Sequence, residues 1–257
     1  MQKVFENLKE IESGEVGLIV YSLSKQKKLV SINEELSVPL ASAAKVVIAF
    51  CIAKLVEEGH HLWNDLVTDI CFNPKEDSNE VYPHFQNRGN LFLREGVEVM
   101  IACHDSFVAN RIVEYCGGWN QMNGKLKSYL PNITITQNPR EPDNQGEVKQ
   151  VFELLLLIYE GYKINPELWA PIINGFVRQR GEIEGIPAHH FNHMTGGLDH
   201  VVVDMGFIGE FSKEPFLFVL GAKNLPNRSI CNIADDKITE TFKLLYSEYI
   251  QQSEFRL

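Results

Sequence analysis

The apolar run Val46-Val-Ile-Ala-Phe-Cys-Ile-Ala53 follows directly on Ser42-Ala-Ala-Lys45 and constrains this chain more than any other stretch. A helix that is apolar on every side has to be buried on every side, so a core must be built around it. Ser42 is expected in its first turn, where free backbone N–H groups and the positive end of the helix dipole favour developing negative charge. Lys45 lies about one turn on, on the same face, within reach of the Ser42 hydroxyl. That is the arrangement of an activated nucleophile. The bland reading of Ser42 is a helix cap. An unpaired ammonium in an apolar run is costly, so Lys45 either reaches a carboxylate or has its pKa lowered for work as a base. The spacing alone decides nothing, since Ser22/Lys25 and Ser24/Lys27 repeat it in a polar turn with no buried helix behind them.

The remaining pattern suggests what surrounds that helix. An amphipathic helix over 1–11 precedes a strand at Gly14–Ser22 and a hairpin partner at Leu29–Asn33. The Ser42 helix is expected to stop at Gly59. Residues 60–90 are polar and rich in turn signals. Helices are expected at Leu93–Cys103 and Phe107–Tyr115, separated by His104-Asp105-Ser106, with Asp105 capping the second. Pro131–Gly146 reads as a loop, and Val148–Tyr159 and Pro166–Val177 as helices. Strands follow at His193–Gly197, Val201–Ile208 and Pro215–Leu220, then a last helix at Ile233–Tyr249. The order predicts an α+β fold: an antiparallel sheet built from both chain ends, flanked by helices, with an inserted helical lobe. A single domain over 1–257 is expected, with an α/β lobe from about 1–40 and 188–257 and a helical lobe over about 41–187.

A formal charge of −10 over 257 residues argues against nonspecific binding to nucleic acid or an anionic membrane surface. The N-terminus lacks an apolar signal core and no run reaches the roughly 20 residues of a membrane span, so a cytosolic protein is expected, an exported one processed before residue 1 reading the same way. The cysteines Cys51, Cys71, Cys103, Cys116 and Cys231 have no metal-ligand spacing and read as reduced core residues. His189, His190, His193 and His200 with Asp199 lack the tight spacing of a zinc motif, so no metal or other cofactor is expected.

Four segments, in order, carry a resemblance to a known family. Val38-Pro-Leu-Ala-Ser42-Ala-Ala-Lys45 resembles the Ser-x-x-Lys nucleophile motif of the class A β-lactamases and penicillin-recognising serine hydrolases. Leu93–Asn110 with Gly117-Gly118 resembles the segment carrying Ser-Asp-Asn, with His104 in place of Ser, Asp105 kept, and Ser106 in place of Asn. Met194-Thr195-Gly196-Gly197 stands where Lys-Thr-Gly would be. Arg140-Glu141-Pro142 resembles the Glu-Pro of the loop that carries the deacylating carboxylate. The β-lactamase/transpeptidase-like fold is what the resemblance implies.

By that resemblance Ser42 is the nucleophile, Lys45 or Glu141 its base, and the N–H groups of Ser42 and Gly197 the oxyanion hole. Thr195 would offer a hydroxyl to a substrate carboxylate, and Ser106 would touch substrate. His104 would pass a proton to the leaving group, which suits an imidazole of ordinary pKa, about 6.5; a loop histidine paired with solvent or backbone is the alternative. Gly196 and Gly197 mark either a close backbone approach by a ligand or another chain, or a bulge or bend. Met194 removes the cation that recognises a carboxylate, which predicts weak penicillin affinity and a neutral acyl substrate. The function expected is a serine hydrolase working through an acyl-enzyme on a β-lactam, ester or amide, with a small-molecule acyl substrate as its partner. The alternative is a catalytically weak or inactive relative serving as a binding or interaction protein.

Overall fold

The structure is a computed structural model describing residues 1–254. In chain order the elements are α1 (Gln2–Lys9), β1 (Glu15–Ser22), β2 (Lys27–Ile32), β3 (Ser37–Pro39), a 3-10 turn (Ala41–Ala43) and α2 (Ala44–Glu57). Next come β4 (Leu66–Thr68), α3 (Ser78–Val81), β5 (Asn90–Phe92), α4 (Leu93–Ala102), α5 (Ser106–Tyr115) and α6 (Trp119–Lys127). The chain continues through β6 (Ile133–Thr134), β7 (Gln145–Glu147), α7 (Val148–Ile164) and α8 (Pro166–Arg178). It ends with β8 (Phe191–Leu198), β9 (Val201–Ile208), β10 (Phe216–Lys223) and α9 (Ile233–Glu254).

The main sheet runs β2-β1-β10-β9-β8 with antiparallel neighbours, so β1 from the N-terminal part pairs with β10 from the C-terminal part. The sheet is apolar on both faces because both are covered. In β10, Phe216, Phe218 and Leu220 join Val4, Leu8, Ile238 and Phe242 of the terminal helices. The alternate residues Leu217 and Val219 join the larger core with α2, α7 and α8. This period of two accounts for an unbroken apolar run in a strand. The expected α+β class and the sheet made from both chain ends are what the structure contains.

Helix α2 is the axis of the larger core: every residue from Ala44 to Ala53 is buried. It closes where the sequence predicts, with Gly59 at φ +77° and the His60 N–H returning to Leu55 O. Two details differ from expectation. Ser42 lies in the 3-10 turn just ahead of α2, closed by the Ala43 N–H on Leu40 O. Helix α6 forms just after the paired glycines Gly117-Gly118, in a stretch with no expected element; Met122 and Leu126, four apart, bury its inner face despite poor helix formers around them. Cys51, Cys103 and Cys116 are core residues as expected, whereas Cys71 is exposed and Cys231 half-buried, because both sit in loops. Among the described residues no helix is long and apolar enough to cross a membrane.

Candidate active site

The nucleophile candidate stands on a strained, braced turn. Ala41, just before Ser42, has φ +46°, a left-handed conformation that costs a non-glycine residue about 1–3 kcal/mol and persists only where its surroundings impose it. The brace is the loop before β7. The Leu40 N–H donates to Asn144 O at 2.9 Å, and Asn144 Nδ2 donates to the carbonyls of Ala41 at 3.4 Å and Pro139 at 3.1 Å. From the other side β8 presses in. A Cβ added at Gly196 would lie 2.5 Å from Leu40 O, 2.9 Å from Ala43 N and 3.0 Å from Ser42 N. What approaches this glycine is neither a ligand nor another chain but the protein's own nucleophile turn.

Lys45 is 5% exposed and donates from Nζ to Ser42 Oγ at 3.4 Å. Burial pulls its pKa down to about 8, against the opposing pull of the Glu76 and Asp105 carboxylates. At pH 7 that leaves about a tenth of the molecules with a free amine in reach of the hydroxyl. The carboxylates that act on Lys45 are therefore Glu76 and Asp105. Glu141, the sequence candidate, is exposed on its loop. Nothing in the sequence singles out Glu76, which sits in an aperiodic polar stretch; the requirement that a buried lysine find an acid is the one hint.

Asp105 is the expected cap. Its Oδ1 accepts from the N–H groups of Phe107 and Val108, each at 3.0 Å, and its Oδ2 from the Asn73 N–H at 3.0 Å. Ser106 Oγ accepts from Asn73 Nδ2 at 3.2 Å. Ser106 and Lys45 line one narrow cleft with Asn110, Thr136 and Gln137, about 20 Å3 in volume, room for a single water. A larger groove of about 500 Å3, with Trp63, Arg94 and Glu167 on its walls, shares no residue with the site.

His104 is half-buried. It occupies the break between α4 and α5 at φ +54°. Burial, with help from the positive charge of Lys45 and from His193, lowers its pKa to about 4. The Gln179 amide nitrogen lies 2.9 Å from His104 Nε2 and also donates to Arg180 O at 3.1 Å. The amide nitrogen is thus the donor, His104 Nε2 accepts, and the ring proton resides on Nδ1. At neutral pH the ring is therefore a neutral imidazole, with one N–H to donate and one ring nitrogen to accept.

The same shift makes a stability prediction. The folded pKa lies below the unfolded one, so the unfolded chain binds the extra proton first and stability falls as pH drops below about 6.5. Between pH 7 and pH 5 the loss attributable to His104 is about 2 kcal/mol. Urea unfolding at the two pH values should show it in the wild type and show it reduced by that amount in His104→Asn, a residue that tolerates positive φ.

In the third segment Met194 is fully buried, Thr195 half-buried with Oγ1 on Val203 O at 3.5 Å, and Gly197 exposed. Arg228, which sequence reasoning missed, lies beside Gly197, where an added Cβ would meet its Nη1 at 2.9 Å. It donates to Asp235 and to the carbonyls of Leu198 and Val201. His193 pairs through Nδ1 with the buried Asp204 at 2.8 Å, while His189 falls in a turn outside the strand and does not share its face.

A half-buried Ser42 with a buried Lys45 at the head of a core helix, on a sheet made from both chain ends, defines a chain of the β-lactamase type. The model of the beta-lactamase enzyme family matches residues 1–242, and the chain belongs to that family. Among solved structures it is similar to a point mutant of PBP-A in an acyl-enzyme complex with penicillin G, at 19% identity and TM-score 0.79, covering 97% of this chain and 96% of that one. It is also similar to a class A variant of the last common ancestor of Gram-negative bacteria, at 17% identity and TM-score 0.75, covering 98% of each chain. A beta lactamase from Xanthomonas campestris pv. campestris aligns at 15% identity and TM-score 0.75 over 95% of this chain and 96% of that one. Comparison with the curated proteins finds no match. Family and fold support a function of the serine-hydrolase type.

Proposed function

We propose that this chain is a serine hydrolase that works through an acyl-enzyme on Ser42. The carrying observation is the Lys45 Nζ to Ser42 Oγ hydrogen bond of 3.4 Å at a lysine that is 5% exposed. A buried amine with its pKa near 8 takes a proton at neutral pH far more readily than an exposed one. Ser42 Oγ attacks an acyl carbon as Lys45 accepts the hydroxyl proton. The N–H groups of Ser42 and Gly197 hold the tetrahedral oxygen, a contribution of about 3 kcal/mol per donor. The abutment of Gly196 on the nucleophile turn is what supports that pairing of strand and turn. The protonated Lys45 then returns its proton toward the leaving group, and a water in the cleft beside Lys45 releases the acyl group from Ser42.

His104 acts in this scheme as a neutral hydrogen-bonding group, with Ser106 and Thr195 at the cleft and strand. Glu141 is a second candidate acid on the loop that walls the cleft, and assisting deacylation is the role its family position supports. The preferred substrate is a neutral acyl compound. Met194 brings no cation, and the Arg228 guanidinium is occupied by Asp235. The partner is accordingly a small acyl molecule. A single domain over 1–257 houses this site.

The other reading is a binding protein that keeps the fold without turnover, and the narrowness of the cleft beside Lys45, about 20 Å3, is what favours it, while a groove of about 360 Å3 beside Gly197 favours the hydrolase. Incubation with a fluorophosphonate, followed by intact mass, separates the two. An adduct abolished by Ser42→Ala supports the hydrolase; no adduct, or one that survives the substitution, removes it.

A further inference from the structure

Gln179 follows the last turn of α8, its N–H returning to Gly175 O, and is 8% exposed although no motif considered above includes it. Its side-chain amide is held from two directions. Nε2 lies 2.9 Å from His104 Nε2 and 3.1 Å from Arg180 O. A carbonyl oxygen can only accept, so the NH2 end of the amide is the end that meets it, and the second hydrogen of the same nitrogen is left for the His104 ring. The amide cannot turn over without setting its own oxygen against Arg180 O. In this orientation Gln179 Oε1 is buried without a hydrogen-bond partner. An orphaned buried acceptor costs stability that an apolar side chain of the same length would keep, so the fold alone gives no reason for a glutamine.

The residues on either side of this contact hold it in place. Arg180 reaches Glu80 Oε2 at 2.6 Å and Asp77 Oδ2 at 3.9 Å, beside α3. Gly181 lies against the ring of His193, where an added Cβ would be 2.1 Å from Nε2. That ring is itself fixed: Nδ1 lies 2.8 Å and 3.0 Å from the two Asp204 oxygens, and the Phe191 ring packs on it at a centroid distance of 4.0 Å. Gln179–Gly181 is thus a strap drawn across the end of α8, with the His104 contact at its start.

The consequence falls on His104. With Nε2 accepting, the ring's one proton is on Nδ1, and that N–H has no acceptor among the described residues. The ring is half-buried at the break between α4 and α5, and Lys45 and His193 are the titratable groups that act on it.

We propose that Gln179 is a positioning residue of the hydrolase site: it fixes His104 in the Nδ1–H tautomer and so leaves a neutral N–H as the donor offered to substrate. This rests on the reading of Ser42 and Lys45 given above. Gln179 acts only through His104. A glutamate in its place would reverse the polarity of the contact, since a carboxylate accepts and would draw the proton to Nε2.

The test reads the ring directly. In protein labelled with 15N-histidine, His104 is assigned by its loss in His104→Asn, and long-range 1H–15N spectra at pH 7 tell Nδ1–H from Nε2–H. The same samples are reacted with a fluorophosphonate at several concentrations, which separates the limiting rate of Ser42 labelling from the apparent affinity. The wild type should show the Nδ1–H form alone. Gln179→Met, which keeps the length and supplies no donor, should show both tautomers, and Gln179→Glu should show a proton on Nε2. In both variants the limiting rate should fall about tenfold with the affinity unchanged, less than the loss of an oxyanion-hole donor because His104 is still present. If Gln179→Met does not fold, Gln179→Glu carries the test.

A folded variant in which either the tautomer or the limiting rate stays that of the wild type overturns the proposal. A displaced ring proton with no Ser42 labelling in any sample, the wild type included, overturns the hydrolase reading instead and leaves the pairing of Gln179 with His104 standing, so the two failures are distinct.

Discussion

Lys45→Met should lower the rate of Ser42 labelling by 10²- to 10⁴-fold, the usual worth of a positioned general base, while raising stability at pH 7 by about 2 kcal/mol. The two effects have one origin. A lysine whose folded pKa lies near 8 rather than 10.5 is charged at neutral pH at the expense of the fold. Across that interval the unfolded chain holds a proton that the folded chain lacks, so stability rises with pH from about 8 to 10.5. At pH 7 the whole cost, about 3 kcal/mol, is present. Methionine keeps the length and apolar character of the side chain. Part of the gain is lost because Glu76 and Asp105 no longer face a cation. Urea unfolding at pH 7 and pH 10 checks the sign: the advantage of the variant should shrink markedly at the higher pH. A variant less stable than the wild type at pH 7 would mean that Lys45 is held by partners strong enough to offset its burial.

Gly196→Ala should be damaging where β8 meets the nucleophile turn. The new methyl would lie 2.5 Å from Leu40 O and 2.9 Å from Ala43 N, both backbone atoms of the braced nucleophile turn, with no flexible side-chain end to yield. Either β8 or the turn must move. Overpacking of this kind costs about 1–3 kcal/mol. A displacement near 1 Å at the nucleophile is enough to lower labelling about 10²-fold. Gly197→Ala is the contrasting case. Its methyl meets the Nη1 end of Arg228 at an exposed position, where a side chain can shift, and its effect on stability should be smaller. Melting temperature and labelling rate of the two variants, measured together, test whether the strand and the turn are in contact as described.

How much of this is legible in the sequence depends on whether a feature is local. The buried helix behind Ser42 is legible because an apolar run admits no exposed face, and Asp105 because a cap acts within three residues of itself. The five strands of the main sheet follow from β-rich runs between turn signals. Glu76 and Arg228 are illegible for the opposite reason. Each reaches the site from a loop, through contacts that depend on where the chain returns in space. The 3-10 turn at Ser42 is likewise set by Asn144 and Gly196, far along the chain. At His104 the residue type suggests an imidazole that titrates near neutrality, whereas burial beside Lys45 holds the ring neutral, which no local pattern announces.

The central claim is that Lys45 activates Ser42, and the pH dependence of a single covalent adduct tests it most directly. Fluorophosphonate is reacted with the wild type at a series of pH values, the extent read by intact mass and the site by peptide mapping. The account predicts one adduct, on Ser42, forming at a rate that climbs to a plateau with a midpoint near pH 8, and absent from Ser42→Ala. No adduct at any pH, or an adduct that persists in Ser42→Ala, would contradict it.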